Sequence, residues 1–333
     1  NYLRMWRIMN YFLCKLRFIT PLHIGDSESA RSLDSSNMTI CADTLFSALC
    51  HTALLTDGKA GIDKLVEYTL EDRLRFSDLH PYSGSRLFLP KPFMLPCGYK
   101  ENNKSIKDRK KMRKLSYIPL EMLDDFLASI RGEKDFEFEK AICSFGEHHL
   151  TTKASIRGNE QTVPYSVALF SFYNDCGLYL IIAYETDEEL DYINELLRLL
   201  GLSGIGGKIS SGYGKFELAE QIKLADASAP DPARLNGLLC ASSATRYLLL
   251  TSSLPKNDEL KEAMESSSYG IIRRGGFIQS YGSRAGIFKK KTQYFFCSGS
   301  VFSRKYNGDI YNVSDNYDHP VYRYSKPIFL GIS

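Results

Sequence analysis

No apolar run in this sequence is long enough to cross a bilayer. Residues 178–184 form one of the longest, far below the roughly 18 residues a membrane helix requires. The first residues carry Arg4 and Arg7 but no sustained apolar stretch or small-residue cleavage site, so neither a signal peptide nor a membrane partner is expected. Metal chemistry is also poorly supported. The eight cysteines (14, 41, 50, 97, 143, 176, 240 and 297) are scattered, form no CxxC pair and have no histidine at zinc spacing. They read as reduced thiols of a cytoplasmic protein without metal or cofactor. Charge of one sign is missing as a total: 42 Lys+Arg against 39 Asp+Glu leave +3, which neither demands nor excludes a polyanionic partner. Nucleotide fingerprints are absent too. There is no Gly-x-x-x-x-Gly-Lys-Ser/Thr, and the one glycine-rich loop precedes a strand instead of joining strand to helix.

What is present is an ordinary globular composition, 44% apolar and 24% charged over 333 residues, for which two domains are the starting expectation. Residues 9–20 alternate as a strand, and residues 42–55 read as a helix with Asp43 as N-cap. An irregular insertion follows. Residues 87–95 are extended by their prolines. Residues 100–114 hold eight basic side chains against two acids, a net of +6, and residues 121–140 carry −4. Two apolar strands, 164–172 and 177–184, are joined across Asn174-Asp175 as a hairpin signal. Residues 187–200 form an amphipathic helix closed by Gly201. A glycine-rich loop and a short strand come next. This strand, helix, inserted arm, strand, strand, helix, strand order is a βαββαβ plan with a decorated middle. Residues 225–232, small and proline-rich, read as a linker. Beyond it, strands around 245–252, 276–281, 291–296, 301–302 and 321–324, with a short helix at 259–265, make a β-rich second domain.

The most informative chemistry lies in the loop Gly204-Ile-Gly-Gly-Lys-Ile-Ser-Ser-Gly-Tyr-Gly-Lys-Phe216. Its glycines, hydroxyls and ammonium groups suit close approach to a phosphate backbone. Candidate ligands there are Gly204, Gly206, Gly207, Lys208, Ser210, Ser211, Gly212, Tyr213 and Lys215. Arg273, Arg274 and Gly275 repeat that chemistry on a smaller scale, and Lys289, Lys290 and Lys291 lead into an aromatic strand. From Gly270 onward ten basic residues face three acids. Cations interleaved with rings on a β-rich fold suit single-stranded RNA. The six histidines offer no paired proton-transfer set. His23, at the end of the first strand, is the position a ribonuclease would use, against the plainer reading of a backbone-bonded side chain. His148 and His149 read as a polar pair in a loop.

These pieces resemble the RAMP superfamily of CRISPR proteins, and within it the subunit that caps the 5′ end of the guide RNA in type III-A (Csm) effector complexes. The likeness rests on Thr20-Pro-Leu-His-Ile-Gly25, on Ala42-Asp-Thr-Leu-Phe-Ser-Ala-Leu49, on the glycine loop, on Arg274-Gly-Gly-Phe277 and on Gly299-Ser-Val-Phe302. It implies an α+β protein of two ferredoxin-like (RRM-like) βαββαβ domains, the second degenerate. The first would span residues 1–224, with an inserted thumb-like arm at about 86–120 and the loop at 204–215. A linker at 225–243 and a C-terminal domain at 244–333 would complete it. The implied function is non-catalytic: holding the crRNA 5′ handle and docking the large polymerase/cyclase-like subunit and a backbone RAMP subunit, with target RNA near the 5′ end of the guide. His23, Gly25 and Arg157 would border the RNA beside the loop. Lys107, Arg109, Lys110, Lys111, Arg113 and Lys114 would arm the thumb. The alternatives are a RAMP endoribonuclease that processes pre-crRNA repeats, and a scaffold whose basic faces meet acidic proteins.

Overall fold

A computed structural model describes residues 9–25, 33–94, 106–155, 163–278, 288–314 and 319–332. In chain order the first half gives β1 (Asn10–Phe18), α1 (Ala42–Leu70), β2 (Leu74–Phe76), β3 (His80–Ser83), β4 (Arg86–Pro90), α2 (Ile106–Lys114), β5 (Tyr117–Pro119), α3 (Leu123–Arg131), α4 (Phe138–Ala141), β6 (Gly146–Ser155) and β7 (Val163–Phe172). The second half gives β8 (Cys176–Tyr184), α5 (Asp187–Ser203), β9 (Phe216–Lys223), α6 (Pro230–Leu239), β10 (Arg246–Leu249), α7 (Leu260–Met264), β11 (Ile271–Arg274), β12 (Gln293–Phe296), β13 (Val301–Phe302), β14 (Asp309–Asn312), β15 (Tyr322–Ser325) and β16 (Phe329–Ile332).

One antiparallel sheet organises the chain. β1 lies between β8 and β9; the far edge of β8 takes β2 and then β3, and β4 and β5 extend the sheet beyond β3. Every residue of β8 is buried because both faces of the sheet are covered, which is why its sequence runs apolar instead of alternating. Leu178, Leu180 and Ile182 pack with α1 and α5 residues such as Leu45, Leu49, Ile193 and Leu197. Tyr179, Ile181 and Ala183 face the other way, towards α3, α6 and the C-terminal strands through Phe126, Leu235, Leu248 and Leu330. The C-terminal segment therefore builds part of its core jointly with this sheet. A smaller cluster of its own surrounds Phe296, Phe302, Tyr306 and Phe329.

Several local expectations change. β7 and β8 are consecutive but do not pair: β7 forms a ten-residue antiparallel ribbon with β6, and β8 turns into the main sheet. His148 and His149 sit on β6, not in a loop. Residues 225–243 carry α6, whose Leu235 and Leu239 are buried. Gly201 lies inside α5, and Gly204, at φ +96°, ends that helix. α1 continues beyond the expected segment to Leu70, kinked at Gly58, whose φ of +64° suits a residue without Cβ. Cys41 occupies the N-cap position of α1. The cap itself is Asp78, whose Oδ1 accepts the Ala42 N–H at 2.8 Å from the break between β2 and β3. Asp43 is thereby left for another partner.

The inserted arm is anchored where β4 pairs with β5, and the basic run continues as helix α2. Lys111 forms an ion pair with Glu139, so the adjoining acidic stretch offsets part of the run's basic charge, and Glu121 of the same stretch pairs with Arg86 of β4 at 2.8 Å. In the C-terminal segment β13, β10 and β16 form a three-stranded antiparallel sheet, beside the two-stranded ribbons β11–β12 and β14–β15. Among the described residues this segment has one helix, the five-residue α7.

Candidate nucleic-acid interface

The glycine loop folds back against the turn that follows β1. Gly207 N–H donates to the His23 carbonyl at 2.8 Å, Gly214 N–H to the Pro21 carbonyl at 2.8 Å, and Lys215 N–H to Thr20 Oγ1 at 2.9 Å. The two segments singled out in the sequence, residues 20–25 and 204–215, are thus one structural unit. Close approach explains two of the glycines. A Cβ on Gly206 would lie 2.6 Å from the His23 carbonyl oxygen, and one on Gly214 would lie 2.0 Å from that of Ile205. Gly212, at φ +84°, has open space around it.

Lys208 holds a left-handed backbone at φ +60°, a conformation uncommon for a residue with a Cβ and concentrated at functional turns. Its ammonium lies 4.7 Å above the Tyr165 ring of β7, and Lys153 of β6 lies 4.3 Å above the Tyr213 ring. The loop and the β6–β7 ribbon therefore interleave two cations with two rings. Ser210 and Ser211 sit on the exposed turn between Lys208 and Gly212.

On its other side the loop walls a groove of about 700 Å³, closed by the first half of α1 and by the β11–β12 ribbon. Gly25, Gly204, Gly206, Gly207, Arg273, Arg274, Gly275 and Lys290 line it, brought together from three distant stretches of chain. Among its described lining residues Arg273, Arg274, Lys290 and Arg323 face a single carboxylate, Asp43. His51 also lines it, its pKa lowered by burial and by neighbouring Lys290 and His319.

Arg274 is engaged with protein. Its Nε and Nη2 donate to the two Asp43 oxygens at 2.9 and 2.7 Å, and Nη2 also donates to Thr44 Oγ1 at 2.8 Å. The expected phosphate ligand is instead the clasp that fastens the ribbon to the start of α1. Arg323, buried on β15, adds a second fastening by donating to the carbonyls of Arg274, Lys291 and Gly275 at 2.9, 2.7 and 3.2 Å. Burial and nearby Arg323 hold the Lys290 ammonium below its usual range.

His23 is 3% exposed, with Nδ1 at 2.7 Å from the Ala168 carbonyl, so its side chain lies behind the loop. Lys289 and Lys291 are exposed on the approach to the ribbon's second strand. Lys110, Arg113 and Lys114 are exposed on α2, and none of the described groove-lining residues belongs to that helix. Lys107 and Arg109 belong to α2 by backbone; Arg157 lies outside the described residues. Sequence reasoning missed His51, Lys153, Tyr165 and Arg323. Only the bulk excess of basic and aromatic residues hinted at them. Among the described residues no group of three or more His, Cys, Asp or Glu is placed to hold a metal, and no helix is long and apolar enough to cross a membrane.

The fold and the loop are those of a RAMP protein: the RAMP superfamily model matches residues 15–217, more than half of the chain. The CRISPR Csm4 C-terminal domain model matches residues 242–332. A relative from Mycobacterium tuberculosis, "CRISPR system Cms protein Csm4", is 34% identical over 311 residues, covering 93% of this chain and 94% of its own. Its namesake from Streptococcus thermophilus is 32% identical over 307 residues, covering 90% and 93%. The chain therefore belongs to the Csm4 family within the RAMP superfamily. Among solved structures, the Csm3-Csm4 subcomplex of the type III-A CRISPR-Cas interference complex contains a chain similar at TM-score 0.64 and 19% identity, with 98% of this chain and 100% of that one covered. The Csm1-Csm4 cassette in complex with pppApA gives 0.58 and 19%, covering 97% and 98%.

Proposed function

We propose that the chain is an RNA-binding subunit of a type III-A (Csm) interference complex that holds the 5′ handle of a crRNA in the groove between the glycine loop and the β11–β12 ribbon. The observation that carries this reading is the groove's charge: four cations against one carboxylate, walled by backbone that glycine brings close. A polyanion fits such a wall, and the exposed Ser210 and Ser211 add hydroxyl donors at its rim. The similar structures, a Csm3-Csm4 subcomplex and a Csm1-Csm4 cassette, support docking to a backbone RAMP subunit and to the large subunit. We read the arm around α2 as the thumb near the first guide–target pairs. Antiparallel neighbours in the order β9, β1, β8 and β2/β3, with α1 and α5 sharing one face, support a ferredoxin-like first domain. Residues 244–333 are read as its degenerate second copy.

The role proposed is structural. A repeat-cleaving enzyme would need a set of proton-transfer groups at the groove surface; the His23 imidazole is buried and bonded to backbone, which leaves His51 as the one histidine among the described lining residues. Titrating affinity for a single-stranded repeat RNA against salt tests the groove. Arg273→Ala and Lys290→Ala, both on the groove lining, should each weaken binding and reduce the log–log salt slope by about 0.7 per lost phosphate contact. Unchanged slopes in both would remove the groove from the RNA path. Incubating the protein with repeat RNA in chelator should leave the RNA intact; cleavage abolished by His51→Ala would establish the enzymatic reading instead.

A further inference from the structure

Two large aromatic rings stand in water on the same ribbon that carries cations of the groove. Phe277 is 57% exposed and Tyr294 60% exposed, whereas Phe295 and Phe296, the next residues along β12, are buried. Register explains Tyr294. In the antiparallel pairing of β11 with β12 it lies directly opposite Arg273, so both project from one side of the ribbon. Phe277 bridges to Lys289 just past the strand end, and lines the groove together with Ile271 and Arg273. Among the described residues neither ring has an aromatic or cationic partner. Most rings of this chain do, as in the cluster of Phe296, Phe302 and Tyr306. The ribbon is also held in place. Arg274 clasps it to α1, and Arg323 ties both its strands, so the rings are presented on a fixed support.

Resting on the reading of the groove as a site for single-stranded RNA, we propose that this ribbon face is a base-stacking platform: Phe277 and Tyr294 take the faces of unpaired bases while Arg273, opposite Tyr294, holds the backbone. A flat ring beside a fixed cation matches a nucleotide, which offers a π face and a phosphate a few ångströms apart. An aliphatic protein partner would not need the guanidinium. An acidic one would not need the rings. Because stacking uses a face that every base has, this platform sets affinity and the path of the strand without demanding a particular base.

Full-length protein is titrated with a single-stranded oligoribonucleotide carrying 2-aminopurine at successive positions, whose fluorescence is quenched by stacking. Phe277→Leu and Tyr294→Leu keep apolar bulk and remove the π face. Each should weaken binding roughly 5- to 100-fold, leave the salt slope unchanged, and restore fluorescence at one defined position. Phe277→Tyr should bind within about two-fold of the parent. If both leucine variants keep affinity and quenching while Arg273→Ala still weakens binding and lowers the slope, the groove stands and the platform falls. If Arg273→Ala also changes nothing, the groove reading fails first. Leucine variants that bind RNA normally but no longer assemble with their protein neighbours would assign the two rings to a protein interface and overturn the proposal.

Discussion

Replacing Asp43 by Asn separates two roles that its carboxylate could have in the groove. The side chain is almost fully buried and receives a two-pronged contact from Arg274, with Arg323 Nε 3.9 Å from Oδ2. Asparagine keeps the shape and removes the charge. Breaking a buried pair from one side costs about 3–5 kcal/mol. Arg274 retains about a fifth of its side-chain surface and keeps Thr44 Oγ1 as an acceptor, so about 2–4 kcal/mol is expected here. A chain of 333 residues has an unfolding entropy of about 0.7 kcal/mol/K, so the melting temperature should fall by roughly 3–6 °C. The functional sign is more discriminating. Were Asp43 only a negative charge beside RNA, removing it would tighten binding and steepen the salt slope. If it fixes the ribbon through Arg274, Asp43→Asn should weaken RNA binding with the slope unchanged. Thermal melts and salt titrations of Asp43→Asn, Arg274→Met and the double variant complete the cycle, and the double should cost clearly less than the sum of the singles. A melting shift under 1 °C, additive energies or tighter binding would refute the clasp.

Gly214→Ala would place a methyl group 2.0 Å from the Ile205 carbonyl oxygen at φ +74°, so limited proteolysis should show the loop opened and RNA binding lost. Gly212→Ala meets only left-handed strain in open space, about 1–2 kcal/mol, and should stay protease-resistant. His80, fully buried, is pushed down to about 4 by desolvation, so the folded protein keeps it neutral where the unfolded chain protonates it near 6.5. That stability is present above pH 6.5 and lost as the pH falls towards 4, about 2 kcal/mol of it by pH 5. Asp78, pushed up to about 6 by burial, acts oppositely, since the stability it withholds above pH 6 returns as the pH falls. His80→Gln should therefore shrink the melting-temperature loss between pH 7 and pH 5 by a few degrees relative to the parent.

Elements with a local cause were legible in the sequence. β1, α5 and the glycine loop follow from alternation, a 3.6-residue apolar period and a run of small residues, and the structure places them within a few residues of their expected bounds. What failed was partnership. Asn174-Asp175 does make a turn, with Cys176 N–H bonded to the Tyr173 carbonyl at 2.9 Å, but nothing local tells β7 to pair with β6 instead of β8. Asp43 had the composition of an N-cap, and a residue 35 positions further on supplies the cap instead. The site was half legible for the same reason. Gly206, Gly207 and Arg273 were found from their chemistry, and the groove does unite them. The structural work of Arg274, and the rings on Lys153 and Lys208, depend on contacts with residues tens to hundreds of positions away.

The position of β1 also bears on how the protein is made. Both of its neighbours, β8 and β9, come from much later in the chain, and the second ends at Lys223. At about 5–20 residues per second the ribosome needs roughly 10–40 s to travel from the end of β1 to the end of β9. Until β8 is complete at Tyr184, Phe12, Leu13, Cys14 and Leu16, all buried in the finished fold, lack their first partner strand, and the second follows only at Lys223. β1 precedes every other described strand and is among the last to acquire both of its partners. Slow codons or a depleted chaperone pool between β1 and β9 should reduce the soluble yield of this protein more than the same delay placed after Lys223.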